Sequence, residues 1–432
     1  MEKIRVAWIC SFSNEKIRAI LPLKVNRVRR LIYKMKRRPY KEGYDAAVWN
    51  TNAIEEFENR NDVELHVICP VRDLRVRKFR YEEKGIHYYF FREQNSDVAS
   101  FLLHQLFSKY TSTFKKNRKL IKTFINEIKP EIVHVIGAEN PLYSLALLDI
   151  PDSMPTIIQL QTLLSRLVDV TKDDNQRVDF YYKGLFEKML FQKASFIGTD
   201  LIEFKDYIIE NIKPDAKFLN ISLAMGNIIN IEPCAKEYDF VYFSGNINKA
   251  GKEAVESFVL AFKENPHITL DIIGAYDMDY KVALDAKLNE YGAKNAVTFE
   301  GRLPSHNDVI KQIRKAKFAL IPLKMDFVPN TIREAMANGL PVVTTITDGT
   351  PSLNEKRESV LLSRQGDFQA MADNMISLIK NDELQCKLRR NAVITESENI
   401  NNTEVIAGYC KAYKACIEYY KDGTQIPQDL VL

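Results

Sequence analysis

The sequence lacks most features that define specialised classes of protein. Its 432 residues include six cysteines, and no two of them have the C-x-x-C spacing. They are therefore expected to be reduced thiols, which excludes a disulfide framework or a zinc site of the usual spacing. No apolar run approaches ~18 residues, so no membrane-spanning helix is predicted. The first residues, MEKIRVAWICSFSNEK, lack a long apolar stretch and a small-residue cleavage site, so no secretory signal is expected either.

What the sequence does contain is a regular alternation of strand and helix patterns. Hydrophobic residues make up 46 % and charged residues 27 %, as in ordinary globular proteins. Several strand candidates are continuous apolar runs, which is typical of parallel sheets covered on both faces. The predicted strands are Ile4–Cys10, Val63–Cys69, His87–Phe91, Ile132–Ile136, Thr156–Gln161, Ser195–Gly198, Phe240–Phe243, Thr269–Ile273, Ala296–Phe299, Phe318–Ile321 and Pro341–Thr345. The pattern predicts an α/β protein with two doubly wound domains.

The least patterned stretches suggest where these domains begin and end. We expect a first domain over residues 1–225, a linker over 226–237 and a second domain over 238–403. Residues 404–432 are expected to form a C-terminal helix and tail, with the helix packing back on the first domain. Two such domains facing each other would form a cleft at the carboxyl ends of their strands, where open α/β sheets bind ligands.

Positive charge is concentrated in one segment. The net charge is +4, but Lys16 to Lys41 holds eleven Lys and Arg residues and no acid, so the rest of the chain carries −7 (4 minus 11). Apolar residues from Leu21 to Met35 recur at helical spacing, and Pro22 suits a helix start. A basic amphipathic helix is typical of a membrane-surface element. The alternative is a solvated helix whose apolar stripe belongs to the core, and no nucleic-acid-binding module is recognised.

The strongest local signal follows the predicted strand Phe318–Ile321. Asn330 or Thr331 can cap a helix that starts near Ile332, and Gly339 can end it in the left-handed conformation. The amino end of such a helix presents free N–H groups and a positive dipole, which suit phosphate oxygens.

Two acidic residues flank this predicted phosphate site. Glu334 is expected inside the first helical turn, and Asp326 precedes it by eight residues in the loop. Carboxylates accept hydrogen bonds from neighbouring hydroxyl groups, so the pair suits a nucleotide sugar. The alternative is an ordinary strand–helix–strand unit in which the glutamate only stabilises the helix end.

These residues carry a family resemblance. The run Glu334-Ala-Met-Ala-Asn-Gly-Leu-Pro-Val-Val resembles the E-A-M-A-x-G-x-P-V-V signature of retaining GT-B glycosyltransferases, in particular family 4, and Asp326 occupies the first position of that family's E-x7-E motif. The resemblance covers about residues 239–400 well and 1–220 loosely. It implies that Glu334 holds the donor ribose, that Asp326 holds the transferred sugar, and that the diphosphate is approached by the amides of Val328, Asn330 and Thr331.

Further positions in the second half follow the family pattern. The segment Gly245-Asn246-Ile-Asn-Lys249-Ala-Gly-Lys252 is similar to the family's G-R-L-x-x-x-K-G loop, with Asn246 in place of the arginine. Either Lys249 or Lys252 would then neutralise the leaving diphosphate. Gly301 and Arg302 occupy the loop that the family places beside the nucleobase. For each of these cations the alternative is a solvated surface side chain.

The first half offers candidate acceptor residues. Pro130–Gly137 looks like the family's P-D-I-V-H-x-H-x strand, and His134 within it is expected to be a packed core histidine. Glu139 and Asn140 follow that strand. Gln161 stands where the family usually has a histidine, and an amide cannot act as a general base. Ser13 and Asn14, after the first strand, complete the candidates.

The resemblance implies a retaining glycosyltransferase that moves a sugar from a nucleotide diphosphate to a glycan or lipid-linked saccharide in bacterial surface polysaccharide synthesis. The donor would bind the second domain and the acceptor the first. No metal and no cofactor are expected, and the expected location is cytoplasmic, at the inner face of the plasma membrane. Because Asp326, Asn246 and Gln161 depart from the pattern, a catalytically silent nucleotide-sugar-binding module remains open, as does a nucleotide-sugar epimerase or phosphorylase.

Overall fold

The computed structural model describes residues 3–24, 44–94, 114–168, 174–224, 234–324, 329–399 and 401–432. The predicted basic helix falls mostly on residues 25–43, and Asp326 and Val328 fall in 325–328, so these predictions lie outside the described residues. So does most of the predicted linker. By its contacts the chain divides into two units. The first comprises Met1–Glu42, Ala46–Ala224 and Asn402–Leu432, and the second comprises Gly43–Asp45 and Met225–Asn401.

The first unit contains an eight-stranded sheet. Its strands are β1 (Ile4–Ile9), β2 (Val63–Val71), β3 (Lys78–Glu83), β4 (Ile86–Arg92), β5 (Ile132–Ile136), β6 (Thr156–Gln159), β7 (Phe196–Thr199) and β8 (Phe218–Asn220). They lie in the order β3-β4-β2-β1-β5-β6-β7-β8. All neighbouring pairs are parallel except β3 and β4, which form an antiparallel hairpin at one edge.

The helices of the first unit are α1 (Glu15–Ile20), α2 (Val48–Phe57), α3 (Lys115–Ile128), α4 (Pro141–Ser144), α5 (Leu164–Leu167), α6 (Asp174–Lys193) and α7 (Ile202–Asn211). The predicted helix start at Pro22 is wrong, because Leu23 instead forms an isolated antiparallel bridge with Leu74. The backbone polar groups of this short segment are satisfied there, by bonds between Lys24 N and Asp73 O and between Arg75 N and Pro22 O, both 2.8 Å.

The second unit has a six-stranded, wholly parallel sheet. Its strands are β9 (Tyr238–Asn246), β10 (Leu270–Ala275), β11 (Val297–Gly301), β12 (Ala316–Ile321), β13 (Val342–Thr345) and β14 (Val360–Ser363). Their order is β11-β10-β9-β12-β13-β14. The helices are α8 (Gly251–Glu264), α9 (Met278–Glu290), α10 (His306–Ile313), α11 (Asn330–Ala337), α12 (Phe368–Lys380) and α13 (Asp382–Asn399).

The final helix, α14 (Asn402–Asp422), returns to the core of the first unit. The Trp8 Nε1 group donates a hydrogen bond of 2.8 Å to the Tyr413 hydroxyl, which also bonds His134 Nδ1 at 2.8 Å. His134 is fully buried, and burial lowers its pKa to about 3. The prediction that His134 is a packed core histidine is confirmed. Among the described helices, none is long and apolar enough to cross a membrane.

Candidate active site

The order of strands in the second sheet reverses between β9 and β12. From β9 the chain moves outward through β10 and β11, then returns to β12 on the other side. At such a switch point the loops after the two central strands diverge, which leaves a crevice where α/β sheets bind ligands. Strand β9 ends at Gly245 and Asn246, and the loop after β12 leads into α11. Most of the predicted donor residues therefore lie at or beside this crevice.

Helix α11 opens at the crevice without a side-chain cap. It begins at Asn330, and Pro329 is its extended N-cap residue. Asn330 and Thr331 are thus the first two helical residues, and the prediction that one of them caps a helix starting near Ile332 is wrong. The reason is that extended Pro329 lets the helix begin at the next residue. The backbone amides of Asn330 and Thr331 are left at a positive dipole end, available to an anion.

Because α11 begins earlier than predicted, Glu334 lies in the second turn of the helix, whereas the first turn was predicted. The carboxyl is only 13 % exposed, and burial raises its pKa to about 8. Its Oε1 atom lies 3.6 Å from the Nε2 atom of His306, which is the first residue of α10. Burial also lowers the pKa of His306, so a neutral imidazole stands beside the carboxyl at neutral pH. Gly339 has φ +70 and ends the helix, as predicted.

The loop after β9 carries the predicted cationic residues. The Oδ1 atom of Asn246 accepts a hydrogen bond of 3.0 Å from the Asn248 amide, which starts a short 3-10 turn over Ile247–Lys249. Lys249 ends that turn and Lys252 is the second residue of α8. Both ammonium groups are exposed, and neither forms an ion pair within the described residues. They are therefore free to meet an anionic ligand.

Two more loops border the same edge of the sheet. Gly301, with φ +72, ends β11, and the exposed Arg302 follows it. The Arg302 guanidinium lies 4.4 Å from the ring centroid of Tyr44, one of the few residues outside 225–401 that belong to the second unit. After β12, Lys324 pairs with Glu253 of α8 at 3.0 Å. Arg302 therefore adds positive charge at this edge of the sheet, whereas Glu253 offsets the charge of Lys324.

The first sheet has its own switch point, between β1 and β5. After β1, the Ser13 hydroxyl accepts a hydrogen bond of 3.0 Å from the Arg18 guanidinium, and Asn14 Oδ1 accepts one of 2.9 Å from the Ile17 amide. Asn14 thereby caps α1. Both predicted acceptor residues lie at this edge, but their oxygens already serve local structure.

The loops after β5 and β6 bring Glu139 and Gln161 together. With its amide nitrogen facing Glu139, Gln161 donates to the Oε1 atom at 3.0 Å and accepts from Trp49 Nε1 at 3.1 Å. The other oxygen of Glu139 is buried without a hydrogen-bond partner among the described residues. Burial, and to a smaller extent the charge of Glu187, raises the pKa of Glu139 to about 7. Such a carboxyl can both take and give a proton near neutral pH.

Glu187 and Asn140, near this pair, differ in what their side chains do. Glu187 of α6 accepts hydrogen bonds from the backbone amides of Leu164 and Ser165 at 3.0 and 2.8 Å, so it caps α5. Burial raises the pKa of Glu187 to about 7 as well. Asn140 precedes α4 as its N-cap residue but makes no side-chain capping bond. Asn140 therefore keeps its amide at the carboxyl edge of the sheet.

Gly137, at the end of β5, is a position where only glycine fits. Its φ is +99, and an added Cβ atom would lie 2.6 Å from the Tyr143 hydroxyl and 2.8 Å from Glu139 Oε1. We expect Gly137→Ala to lower the free energy of unfolding of the first unit by about 2–4 kcal/mol, from backbone strain and crowding together. Urea denaturation measures this change.

Gly85 provides the matched control for that substitution. It has φ +78 in the β3–β4 hairpin, and a Cβ atom there would have no neighbour within 4 Å. Gly85→Ala should cost only about 1 kcal/mol, the price of the left-handed conformation alone. Equal losses for the two variants would show that Tyr143 and Glu139 do not crowd Gly137.

Sequence reasoning missed His306, Trp49 and Glu187. A readable signal existed for His306, because Ser305 and Asp308 form a capping box that fixes the start of α10. Trp49 and Glu187 reach the site from α2 and α6, and no local pattern connects these helices to the loops after β5 and β6.

Comparison with known proteins gives a match in the second unit. Residues 226–394, less than half of the chain, match the model of the family described as "Glycosyl transferases group 1". This part of the chain is similar to group 1 glycosyltransferases. The uncapped α11, Glu334 and the loop after β9 all lie within the matched residues.

The relatives found include "Putative colanic acid biosynthesis glycosyltransferase WcaL" of Salmonella typhimurium, which is 32 % identical over 111 residues. That match covers 24 % of this chain and about a quarter, 27 %, of the relative. Sucrose-phosphate synthase from Thermosynechococcus elongatus has a similar structure, with a TM-score of 0.68 at 14 % identity over 95 % of this chain and 98 % of that one. Anabaena HepE in complex with UDP and glucose gives 0.61 at 14 % identity, over 95 % and 100 %. These structural similarities show the fold and confirm the predicted GT-B class.

Proposed function

We propose that the protein is a glycosyltransferase that moves a sugar from a nucleotide diphosphate donor to a saccharide acceptor, with retention of configuration at the anomeric carbon. The observation that carries the proposal is the uncapped amino end of α11 at the switch point of the second unit, which matches the group 1 model, with the largely buried Glu334 on the same helix. Free amides suit the diphosphate and a carboxyl suits the sugar hydroxyls.

In this proposal the donor binds the second unit. The amides of Asn330 and Thr331 receive the diphosphate, and Lys249 or Lys252 offsets the charge that develops as it leaves. Glu334 accepts hydrogen bonds from the ribose, and Asp326 holds the transferred sugar. Arg302 and Gly301 border the base. The chain thus supplies with amides and ammonium groups the charge stabilisation that a metal ion gives in other transferases.

The acceptor binds the first unit, at the edge that holds Glu139 and Gln161. The unpartnered Oε2 atom of Glu139 is available to an acceptor hydroxyl, and its raised pKa suits proton exchange. The WcaL relative is named for the biosynthesis of a polysaccharide, colanic acid. We propose by analogy a glycan or lipid-linked saccharide of a bacterial surface polysaccharide as the acceptor.

The experiment that tests this function has two steps. Calorimetry with UDP, GDP and dTDP sugars identifies the donor, and UDP-glucose is the first probe because HepE was solved with UDP and glucose. Incubation with the bound donor and a set of oligosaccharides then measures transfer, with the anomeric configuration of the product read by NMR. Binding without transfer or donor hydrolysis would indicate a catalytically silent module. Interconversion of the donor sugar would indicate an epimerase.

Turnover is expected not to need a metal ion, because the proposed donor site uses amides and lysines. Adding EDTA at roughly ten times the protein concentration should leave the transfer rate within about twofold of the untreated rate. Adding Mg²⁺ or Mn²⁺ should not raise that rate. A transferase of known Mn²⁺ dependence serves as the control for effective chelation. Loss of transfer on chelation, restored by Mn²⁺, would contradict the proposed use of α11 and the lysines.

The basic segment Lys16 to Lys41 is proposed to attach the protein to anionic membranes. Basic residues near an anionic surface contribute on the order of 1 kcal/mol each, and salt screens the attraction. We expect sedimentation with phosphatidylglycerol vesicles at low salt, weak binding to phosphatidylcholine vesicles, and release as ionic strength rises. Replacing Arg29, Arg30, Arg37 and Arg38 with serine should reduce the bound fraction without abolishing donor binding.

A control variant that loses the same number of positive charges elsewhere tests whether membrane binding depends on this segment or on net charge alone. Lys356, Lys380, Lys387 and Arg390 are exposed in the second unit, and their replacement by serine should leave vesicle binding largely intact. If the wild-type protein stays in the supernatant with anionic vesicles at low salt, the membrane proposal is wrong and a lipid-linked acceptor loses its main support.

A further inference from the structure

A second group of functional side chains lies in the first unit, at the amino ends of its strands. Glu64 and His66 are two residues apart on β2, so they share one face of the sheet. The parallel register places His87 of β4 directly beside His66. This edge is opposite to the carboxyl ends that carry Glu139 and Gln161, so the cluster is separate from the proposed acceptor site.

The three side chains converge on a small volume. The Oε1 atom of Glu64 lies 3.0 Å from His66 Nε2 and 3.9 Å from His87 Nε2. One ligand atom from each residue lies within 4.8 Å of the other two. Tetrahedral zinc holds nitrogen and oxygen ligands at about 2.0–2.2 Å, which places neighbouring ligand atoms about 3.4 Å apart. The two measured distances bracket that value. The rings of His66 and His87 are stacked, with centroids 4.6 Å apart and planes at 14°, so the partly exposed His87 ring must turn before both Nε2 atoms can face one ion.

Each of the three side chains also has a partner on its far side. Glu82 Oε2 lies 3.2 Å from His87 Nδ1, and the Tyr89 hydroxyl lies 3.3 Å from His66 Nδ1. The Arg5 Nε group donates a hydrogen bond of 3.2 Å to the second oxygen of Glu64. Outer partners of this kind fix the orientation of metal-binding histidines and direct the Nε2 lone pair toward the ion.

The chemistry of the three side chains indicates which ion would suit them. Two imidazoles with one carboxylate are a donor set that zinc and related first-row metals prefer over magnesium or calcium.

We propose that Glu64, His66 and His87 form a binding site for one Zn²⁺-like divalent metal ion, with a fourth position open to water. No local sequence pattern indicates this site, because its ligands come from two strands and meet only through their register in the sheet. For the first unit the proposal departs from the expectation that no metal is bound. The site lies in the first unit, so it is independent of the proposed metal-free donor site.

The test uses full-length protein without a histidine tag, stripped of metal by dialysis against a chelator. Calorimetric titration with Zn²⁺ should show one ion bound per chain. Titration with Co²⁺ should give the visible absorption of a four-coordinate site. We expect His87→Gln, which removes a partly exposed ligand, to weaken Zn²⁺ binding by about 100-fold or more. Glu82→Gln removes only an outer partner and should weaken it by roughly 10–100-fold.

His267→Gln is the matched control, since His267 is exposed in the second unit and lies outside the cluster. It should bind Zn²⁺ as the wild type does. Thermal unfolding of each metal-free variant establishes that it is folded. No stoichiometric Zn²⁺ binding by the wild type would overturn the proposal. So would full binding by folded His87→Gln, which would point instead to the exposed thiols of Cys234 and Cys386.

Discussion

Replacing Glu334 with glutamine is expected to abolish donor-dependent turnover and, at the same time, to stabilise the ligand-free protein at alkaline pH. In the proposed complex the carboxylate accepts hydrogen bonds from ribose hydroxyls, and hydrogen bonds to charged groups contribute about 1.5–3 kcal/mol each. Losing two of them should weaken donor binding by roughly 100-fold or more. Calorimetry with the donor and the rate of transfer measure this effect, and Glu334→Ala should behave alike.

The stabilisation follows from the raised pKa. Burial moves the pKa of Glu334 from 4.5 to about 8, so the fold holds a proton that the unfolded chain releases. Each pH unit in that interval removes about 1.4 kcal/mol of stability, and glutamine avoids the loss because it does not ionise. At pH 8 the variant should therefore be more stable than the wild type by roughly 4 kcal/mol. At pH 4 the two should be nearly equal.

Asp271→Asn is the control that separates the loss of donor binding from the change in the pH dependence of stability. Asp271 is buried in β10, hydrogen-bonded to Gln312 at 2.8 Å, and its burial raises the pKa to about 6. This variant should change the pH dependence of stability without weakening donor binding. If Glu334→Gln still binds the donor and transfers sugar within twofold of the wild type, the assignment of Glu334 to the ribose is wrong.

The wild-type protein is expected to lose stability as pH rises from 6.5 to 8.5. Burial raises the pKa of Glu139 and of Glu187 to about 7 and that of Glu334 to about 8. A carboxyl with a raised pKa contributes stability that is complete below its ordinary pKa and is lost as pH approaches the raised value. Added over the three carboxyls, the free energy of unfolding lost between pH 6.5 and pH 8.5 is about 3 kcal/mol.

Buried histidines act in the opposite direction, but only at lower pH. Burial lowers the pKa of His66 to about 4 and that of His134 to about 3, so these rings destabilise the fold as pH falls below their ordinary value near 6.5. Between pH 4.5 and 6.5 the three carboxyls lose more stability with rising pH than the two histidines regain, so by these groups stability should be greatest near pH 4.5. Urea denaturation at half-unit intervals measures the curve, and Glu139→Gln should flatten its alkaline side for the first unit. A curve that stays level or rises up to pH 8.5 would show that these carboxyls ionise freely in the fold.

Most of the sheet architecture could be predicted because the central strands are buried on both faces. Eleven apolar runs were predicted as strands, and each lies in or largely overlaps a strand of the structure. The runs did not reveal β3, β8 and β14. Strand β3, Lys-Phe-Arg-Tyr-Glu-Glu, is an edge strand with charged residues that discourage further pairing, so it lacks an apolar run. Strands β8 and β14 are only three and four residues long.

The candidate site was predictable only where one local motif carries it. The strand–helix–strand run from Phe318 to Thr345 contains the helix, the glycine that ends it and the next strand, so α11 and Glu334 could be placed to within one turn. Glu139 and Gln161 were each predicted as acceptor residues, but their hydrogen bond was not, because it joins two loops after neighbouring strands. The raised pKa values and the convergence of Glu64, His66 and His87 could not be predicted, because burial and register arise only in the folded unit.

The return of α14 to the first unit has a consequence for how the chain is made. Trp8 and Tyr413 are hydrogen-bonded across almost the whole sequence, so the first core lacks one of its helices until synthesis is nearly complete. Apart from Gly43–Asp45, the second unit lies between Ala224 and Asn402 and needs nothing beyond residue 401. On the ribosome the second unit can therefore complete its core before the unit that emerged first. During that interval Trp8 and its neighbours present an unfinished apolar surface, the kind of surface on which nascent chains depend on chaperones.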